Sequence, residues 1–443
     1  MSSTGSLAVP PSPSSSKRSR SRDSSRSAAA SSVNTPFVTP SATPSASAPS
    51  LLIPQSSSQT SSLADQEPPD LTPYPAFLQL KIEILEKYQD LEWQQRERLL
   101  PNGRAVSPTS QWAKCTGPEV AQRNRYVNVD PYQNNRVKLQ VPEGYSDYIN
   151  ASPIVLESTK TKKITRFIAT QGPKPESFSH IWRMIWEQTT SPAVAIMLTK
   201  THEGGREKCF AYYPQSLQMP DLRINAHDEF KDGIIHNLHL ASLVDNEEVS
   251  AQVRELDMST EDGSETKKIW HLLFEGWPDF SVPEDANQAA LLKLIDLSRE
   301  RNADNANNPR IVHCSAGVGR SGTFIALDWL LQELEEGSMD NLHEDDDPIL
   351  TVVDNLRLQR MMMVQSEAQF IFLYDVIRER WRDRWVKQNP EEADRLGLDL
   401  VREPRHKRAR PSREIEIRRD DDAHAELEAE LVGNQMEFEH GRT

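Results

Sequence analysis

A short apolar run followed by a glycine-rich loop is the feature that most constrains this fold. Residues 311–322 read Ile-Val-His-Cys-Ser-Ala-Gly-Val-Gly-Arg-Ser-Gly. The run 311–313 predicts a buried strand, and a helical pattern begins at about Ser321. The glycines between them let the backbone curl, so that successive N–H groups can converge on an anion at the N-terminal end of the helix. The segment therefore predicts an anion site at a strand–helix junction.

Cys314 and Arg320 lie six positions apart in this segment. Five intervening residues are enough to carry Arg320 to the far side of the anion, where its planar guanidinium can bind two phosphate oxygens. The same donors favour the thiolate of Cys314, which is the nucleophilic form of the side chain. The alternative is that Cys314 is only a buried residue at a strand end and that the glycines only form a turn. That alternative gives Arg320 no purpose.

The rest of the chain predicts one folded segment between two tails. Residues 1–70 are rich in Ser, Pro, Ala and Thr, and residues 389–443 are rich in charged residues. Such segments cannot bury enough apolar surface to offset the entropy lost on ordering. We therefore predict disordered tails at 1–70 and 389–443 and one domain over 76–388.

Within this domain, short β-rich runs alternate with helical patterns, which predicts an α/β (α+β) domain built on a mixed sheet. The segment 234–258 has the pattern of a hairpin. The predicted strands are 164–169, 194–198, 234–243, 253–258, 269–274 and 311–313, and the predicted helices are 77–98, 178–187, 287–299, 323–335 and 368–385.

Charge and cysteine content exclude several classes of protein. The formal net charge of −15 favours solubility and argues against a nucleic-acid-binding role. No apolar run approaches the length of a membrane span, and the N-terminus lacks the apolar core of a secretory signal. The cysteines Cys115, Cys209 and Cys314 are odd in number, which argues against a disulfide framework and favours a reducing compartment. We expect a cytoplasmic protein that uses no metal and no cofactor, since no cluster has metal-ligand spacing.

Seven motifs occur in an order that resembles the tyrosine-specific, cysteine-dependent protein tyrosine phosphatases, in particular non-receptor and fungal-like members. The resemblance runs from about 124 to 374. It implies a highly twisted mixed β-sheet flanked by helices, and hydrolysis of phosphotyrosine in proteins during intracellular signalling. The motifs are the signature loop 313–321, the phosphotyrosine loop 124–126 with 131–137, the strand 147–151, the turn 169–173, the glutamate hairpin 203–209 with 213–214, the acid loop 277–279 and the glutamine motif 364–369.

The resemblance also implies a catalytic role for five residues. Cys314 is the expected nucleophile, and Arg320 is expected to bind the phosphoryl oxygens. Asp279 is expected to protonate the departing tyrosyl oxygen and later to accept a proton from water. Gln365 is expected to orient that water. Ser321 is expected to donate a hydrogen bond to the thiolate, with a helix N-cap as the alternative role.

Further residues are expected to bind substrate or to support the site. Tyr126 should stack on the substrate ring and line a deep pocket, which selects phosphotyrosine over the shorter phosphoserine. Glu203 should orient Arg320, although a surface salt bridge to Lys208 or Arg206 is an alternative. The expected substrate-binding residues are Tyr126, Asn128, Ser315, Ala316, Gly317, Val318, Gly319 and Gln369, and the expected supporting residues are His313, Glu203, Lys208 and Trp277.

Two positions depart from the family pattern. Asn128 stands where many relatives have an Asp that holds the substrate backbone; an amide can still accept that hydrogen bond. Met362 stands where relatives usually have Gly, so its side chain could narrow the pocket or hinder Gln365. A phosphotyrosine-binding pseudophosphatase is therefore one alternative. A dual-specificity phosphatase is another, which the pocket-forming Tyr126 disfavours.

Motifs in the two tails predict regulation. Basic patches at 17–22 and 406–410 are of the nuclear-import or anion-binding type. Ser12-Pro13, Thr35-Pro36, Thr39-Pro40 and Thr43-Pro44 are candidate sites for proline-directed kinases, whose phosphate groups would recruit a partner or change localisation. The expected partners are phosphotyrosine-containing proteins, with a MAP kinase as candidate substrate and regulator.

Overall fold

A computed structural model describes residues 72–79, 82–104, 106–277 and 281–398. The predicted tail 1–70, the basic patch 406–410 and the predicted acid Asp279 lie outside the described residues. The helices are α1 (Ile82–Leu99), α2 (Pro118–Arg123), α3 (Phe178–Gln188), α4 (Ala286–Arg301), α5 (Gly319–Glu336), α6 (Pro348–Gln359), α7 (Glu367–Gln388) and α8 (Pro390–Leu396). The strands are β1 (Ala151–Glu157), β2 (Ile164–Thr170), β3 (Ala193–Met197), β4 (His202–Glu203), β5 (Arg206–Glu207), β6 (Asp221–Ile224), β7 (His236–Asn246), β8 (Ala251–Thr260), β9 (Thr266–Phe274) and β10 (Arg310–His313).

Eight of these strands form one mixed sheet in the order β1-β2-β10-β3-β9-β8-β7-β6. Strand β10 runs parallel to β2 and β3, and β3 runs parallel to β9, whereas the other pairs are antiparallel. The predicted mixed sheet is therefore confirmed. Because β10 lies between two parallel strands, the loop that follows it starts at the carboxyl edge of the sheet centre, where the ends of parallel strands form a crevice.

Helices cover both faces of the sheet, and the alternation of side chains along the central strands explains why. Val194 and Val312 face the larger core, to which α4, α5, α6 and α7 contribute. Ala195 and Ile311 face a second core, to which α3 contributes. A strand buried on both faces has no polar face, which accounts for the continuous apolar character of β3 and β10.

The folded part begins close to the predicted boundary of 76 and continues past the predicted boundary of 388. A 3₁₀ turn at Ala76–Leu78 buries Phe77 and Leu78, and Arg378 on α7 donates a hydrogen bond to the Leu78 carbonyl at 2.8 Å. At the other end, α8 lies within the predicted C-terminal tail, and its Ala393 packs with Val386 and Leu398. Single apolar residues in charged surroundings form these contacts, so composition alone did not indicate them.

Helix α6 was not predicted, because its apolar pattern is short and lies close to an acidic run. Asp347 caps it by accepting hydrogen bonds from the N–H groups of Ile349 and Leu350 at 3.0 and 3.1 Å. Among residues that the structure describes, none of the helices is both long enough and apolar enough to cross a bilayer.

Candidate active site

Cys314 begins the loop that joins β10 to α5, and the loop backbone folds around its sulfur. The Gly317 N–H donates a hydrogen bond to Cys314 Sγ at 3.2 Å. The cysteine is only 5% exposed, so its sulfur is almost fully buried. Gly317 has φ +73°, and a Cβ there would lie 2.1 Å from the Thr170 carbonyl oxygen. Only glycine fits this position. Residues 314–320 are called the phosphate loop below.

Four consecutive carbonyls of the phosphate loop, those of residues 314–317, are bound by donors from outside it. Because the C=O and N–H of a planar trans peptide point in opposite directions, the amides of residues 315–318 face away from these donors. The Gly317 amide, which faces the sulfur, belongs to this set. The loop thus presents the Gly317 amide to Cys314 Sγ, a position suited to an anion. In order from 314 to 317, the donors are His313 Nδ1, Gly172 N, Arg360 Nη2 and Arg360 Nε, at 3.1, 2.8, 3.2 and 2.9 Å.

Arg320 lies in the first turn of α5 and is held in one orientation by Glu203. Its Nη1 and Nη2 donate to the two carboxylate oxygens of Glu203 at 2.8 and 2.7 Å, and Nη1 also donates to the Leu198 carbonyl at 3.0 Å. A bidentate pair of this kind fixes the plane of the guanidinium. The predicted contact between Glu203 and Arg320 is present. The Glu203 carboxylate faces this buried arginine.

His313 supports the phosphate loop from behind as a neutral imidazole. Burial lowers the pKa of His313 to about 4. Its Nδ1–H donates to the Cys314 carbonyl, so its Nε2 accepts the hydroxyl hydrogen of Tyr212 at 2.7 Å. Tyr212 in turn accepts a hydrogen bond from His271 Nε2 at 3.1 Å, and burial lowers the pKa of His271 well below its usual range. This chain of neutral groups fixes the backbone at Cys314.

Tyr126 contacts the phosphate loop through Ser315. Ser315 Oγ donates to the Lys208 carbonyl at 2.9 Å, so the Tyr126 hydroxyl is the donor in its 2.8 Å contact with Ser315 Oγ. The ring is half-buried and packs against the larger core. Arg125 anchors this segment by donating to the Gly172 carbonyl at 3.0 Å. Asn128 is exposed.

The side chains of Gln365 and Gln369 lie next to Gly319, the first residue of α5. A Cβ at Gly319 would lie 3.0 Å from Gln369 Oε1 and 3.2 Å from Gln365 Oε1, so the absence of a side chain at Gly319 makes room for both amides. Gln369 Oε1 also accepts the Gln365 N–H at 3.1 Å, and Gln369 forms a capping box with Ser366 at the start of α7. Gln369, predicted to contact substrate, thus also holds the backbone of Gln365.

Residues 361–366, which include Gln365, are called the glutamine loop, and the backbone of this loop is strained. Met362 has φ +60° and Val364 has φ +58°. Left-handed conformations at residues other than glycine cost about 1–3 kcal/mol each, and a β-branched residue is a rare case. A glycine at this position would take this φ without that cost. The Met362 side chain is half-buried and packs against the larger core.

Ser321 is the third residue of α5, so it is not the helix N-cap, a position that Val318 holds. Among the described residues, its buried Oγ has no hydrogen-bond partner. The described residues therefore show no hydrogen bond from Ser321 to Cys314 Sγ, and the expected one stays a prediction. Trp277, at the start of the predicted acid loop, is buried, and its Nε1 donates to the Ser281 carbonyl at 2.9 Å. Asp279, between them, lies outside the described residues.

Sequence reasoning did not single out Arg360, Tyr212 or the role of Gly172. A Cβ at Gly172 would lie 2.8 Å from the carbonyl oxygens of both Cys314 and Lys208, so the Gly-Pro pair in the turn 169–173 was a signal of close backbone approach. No pattern marked Arg360, since an arginine between apolar residues usually reaches solvent. Over the residues that the structure covers, His, Cys, Asp and Glu side chains form no group suited to a metal ion.

Comparisons with known proteins place this site in a family. Residues 120–379 match the model described as protein-tyrosine phosphatase. Tyrosine-protein phosphatase 2 of Schizosaccharomyces pombe is 34% identical over 303 residues, which are 66% of this chain but only 38% of that protein. Tyrosine-protein phosphatase 3 of the same yeast is 39% identical over 262 residues, 58% of this chain and 79% of that protein. The crystal structure of the catalytic domain of human protein tyrosine phosphatase non-receptor type 18 aligns with a TM-score of 0.54 at 27% identity, covering 69% of this chain and 99% of that one. The chain belongs to the protein-tyrosine phosphatase family.

Proposed function

We propose that this protein hydrolyses phosphotyrosine in other proteins through a cysteinyl-phosphate intermediate on Cys314. The observation that carries this proposal is the phosphate loop, in which outside donors hold four carbonyls and the Gly317 amide is bonded to the cysteine sulfur. Amide donors around a sulfur stabilise a thiolate and then the oxygens of a phosphoryl group. Family membership supports the same activity.

In the first step, the Cys314 thiolate attacks phosphorus in line with the tyrosyl oxygen. The S–P bond forms as the P–O bond breaks, while the loop amides and Arg320 bind the three equatorial oxygens. The pairing of Arg320 with Glu203 holds the guanidinium in position before substrate binds. Asp279 protonates the departing tyrosyl oxygen, which makes it a better leaving group.

In the second step, water attacks the cysteinyl phosphate. Gln365 orients the water, and Asp279 accepts its proton. The S–P bond breaks, which releases inorganic phosphate and returns the thiolate. Ser321 donates a hydrogen bond to the sulfur as negative charge returns to it, since its buried hydroxyl has no other partner among the described residues. The products are tyrosine and inorganic phosphate, and the enzyme is regenerated.

Tyr126 supports the choice of phosphotyrosine. Cys314 is almost fully buried, so a substrate must reach downward past the Tyr126 ring to meet the sulfur. A phosphorylated tyrosine is long enough, whereas phosphoserine is several ångströms shorter. One structure of PTPN18, a phosphatase similar in fold, is a complex with HER2 phosphopeptides. That complex supports phosphorylated tyrosines in proteins as the substrate class here.

A peptide assay with the full chain tests the proposal. The enzyme should hydrolyse a phosphotyrosyl peptide at least about 1,000-fold faster than the matching phosphoseryl peptide, with a metal chelator present. Cys314→Ser should abolish turnover. Binding of the phosphotyrosyl peptide without turnover would support a pseudophosphatase instead, and equal rates on both peptides would support a dual-specificity phosphatase.

Asp279→Ala extends the test to the natural substrate. Without the acid, the first step should slow while the phosphotyrosyl side chain stays bound, because the phosphate loop is unchanged. The variant should therefore retain phosphotyrosine proteins from a cell lysate, and excess vanadate should release them. The double variant Asp279→Ala/Arg320→Ala is the control, since it lacks the phosphate-binding guanidinium.

The same proposal extends to regulation in the cytoplasm and the nucleus. It is supported by the basic patches and by the Ser-Pro and Thr-Pro pairs of the tails, all of which lie outside the described residues. Proline-directed kinases phosphorylate the N-terminal tail, and a MAP kinase is both regulator and substrate. Recovery of a MAP kinase with Asp279→Ala, phosphorylated on tyrosine, would support this part. Its absence from the retained proteins would contradict it.

A further inference from the structure

Helix α1 contacts the glutamine loop at several backbone positions. Gln95 Oε1 accepts the Met362 N–H at 2.6 Å, and the Tyr88 hydroxyl donates to the Gln365 carbonyl at 2.5 Å. Helix α1, which ends at Leu99, lies outside the segment 120–379 that matches the family model. The loop that carries the proposed water-orienting residue is therefore held by an element that the family model does not cover.

A third contact runs through Arg357 at the end of α6. Its Nη2 pairs with Glu92 on α1 at 2.7 Å, while Nε and Nη2 donate to the carbonyls of Met363 and Val364 at 3.0 Å each. Arg357 is fully buried. A guanidinium in this position needs a partner for its charge, and Glu92 provides one. Glu92 thus links α1 to two further carbonyls of the glutamine loop.

These contacts surround the two strained residues. Met362, with φ +60°, is bound through its N–H, and Val364, with φ +58°, is bound through its carbonyl. The Val364 N–H also donates to the Val318 carbonyl of the phosphate loop at 3.2 Å. A strained backbone persists only where its surroundings determine it fully. Without the contacts from α1, the loop would relax toward ordinary φ values and Gln365 would shift.

Of the contacting groups on α1, Gln95 is buried and Tyr88 is half-buried. Burial raises the pKa of Tyr88 well above its usual value, so that it remains a hydroxyl donor throughout the working pH range. Hydrogen bonds in such surroundings are stronger than exposed ones, and losing one partner leaves the other group unsatisfied. By contrast, Gln89 on the same helix is exposed.

We infer that α1 is a positioning element for the second chemical step, in which Tyr88 and Gln95 hold Gln365 in the geometry that hydrolyses the cysteinyl phosphate. This inference rests on the proposed function. Tyr88 and Gln95 act through the loop backbone and touch neither substrate nor the reacting atoms. Their loss therefore slows hydrolysis of the intermediate and leaves its formation intact, because the phosphate loop has its own supports.

Single-turnover rapid quench with an aryl phosphate, on the full chain, separates the two steps. In Tyr88→Phe/Gln95→Met, decay of the cysteinyl phosphate should slow about tenfold. The variant loses two hydrogen bonds to the glutamine loop, and relaxation of the loop offsets part of that loss. Formation of the intermediate and kcat/KM should change less than about twofold, since kcat/KM reports steps up to the first irreversible one. The control Gln89→Ala should leave decay unchanged.

Two further variants distinguish positioning from general damage. Gln95→Glu keeps an acceptor oxygen for the Met362 N–H, so the variant Tyr88→Phe/Gln95→Glu should regain part of the decay rate. In a Gln365→Ala background, the substitutions at Tyr88 and Gln95 should slow decay no further, because they act through that glutamine. Additive losses in this background would overturn the inference.

The remaining outcomes also decide the matter. Unchanged decay in Tyr88→Phe/Gln95→Met, or formation and decay slowed equally, would overturn the inference even though the wild-type enzyme turned over. Absence of any cysteinyl phosphate in the wild-type enzyme would instead overturn the proposed function. A lowered midpoint of thermal unfolding with unchanged decay would mean that α1 only stabilises the fold.

Discussion

The phosphate loop and the glutamine loop meet at α5, yet they are stabilised in different ways. In the phosphate loop, a glycine takes the left-handed conformation, and the carbonyl-binding donors, among them Gly172 and Arg360, lie within the segment that matches the family model. In the glutamine loop, Met362 and Val364 take that conformation, and part of the support comes from α1, outside that segment. The phosphate loop is supported by residues of the matched segment. The glutamine loop is strained, and part of its support comes from α1, which lies outside that segment.

This difference suggests how the two chemical steps are controlled. In the proposed mechanism, formation of the intermediate depends on the phosphate loop, whose carbonyls are bound by donors from the segment that matches the family model. In the same mechanism, hydrolysis depends in addition on Gln365, whose carbonyl is bound by Tyr88, 277 positions earlier in the chain. Changes in the N-terminal part of the domain should therefore affect the second step more than the first.

The largest expected effect is at Arg360, which holds two carbonyls of the phosphate loop. Arg360→Met leaves the Ala316 and Gly317 carbonyls without these donors, so the loop amides should lose their common direction. We expect kcat/KM for an aryl phosphate to fall about 100-fold or more, as for loss of a buried charged partner. Unlike the α1 variants, this one should slow formation of the intermediate. If Arg360→Met slowed only hydrolysis of the intermediate, the proposed difference between the two loops would be wrong.

A smaller effect is expected from acid at His313, the neutral support of the phosphate loop. Its pKa is about 4 in the fold against an ordinary value of 6.5, so between these values the unfolded chain binds the proton and the folded chain does not. Stability therefore falls as pH falls through this window, by about 2 kcal/mol from pH 7 to pH 5 for this group. Urea unfolding at both pH values measures it. His313→Asn should show a correspondingly smaller pH dependence, and an equal one would contradict the role of His313.

The smallest of these effects is expected at Glu203, which holds Arg320. Glu203→Gln keeps one acceptor but loses the charge and the bidentate geometry. Loss of the charge-assisted pair should lower kcat/KM about tenfold, with KM rising because the guanidinium is less well oriented toward phosphate. The variant Glu203→Asp keeps the negative charge but shortens the side chain, so it separates the effect of charge from the effect of side-chain length. If Glu203→Gln changed only the decay of the intermediate, the assignment of Arg320 to phosphate binding would be wrong.

Much of the site could be predicted from sequence because its signals are local. The strand, the two glycines, Cys314 and Arg320 lie within ten residues, and the motifs that place Tyr126, Glu203 and Gln365 are contiguous. The mixed sheet could likewise be predicted, since its strands are apolar runs with clear boundaries. The order of strands could not, because β10 inserts between β2 and β3 from a distant part of the chain.

The supports of the site could not be predicted, because they are long-range polar contacts. The pairs Gln95–Met362 and Tyr88–Gln365 join residues more than 260 positions apart, and each side chain is of a type that is usually exposed or satisfied locally. Sequence reasoning treated Met362 only as added bulk near the pocket. The structure shows that its backbone conformation matters, since a positive φ is needed at this position.

Identification of the phosphorylated residue tests the central claim most directly. The full-length protein is mixed with an aryl phosphate, quenched within milliseconds and digested, and the phosphorylated peptide is identified by mass spectrometry. The account predicts one phosphate per chain on Cys314, in the peptide that contains residues 311–320, and none in Cys314→Ser. Phosphate on another residue, or turnover that survives in Cys314→Ser, would contradict it.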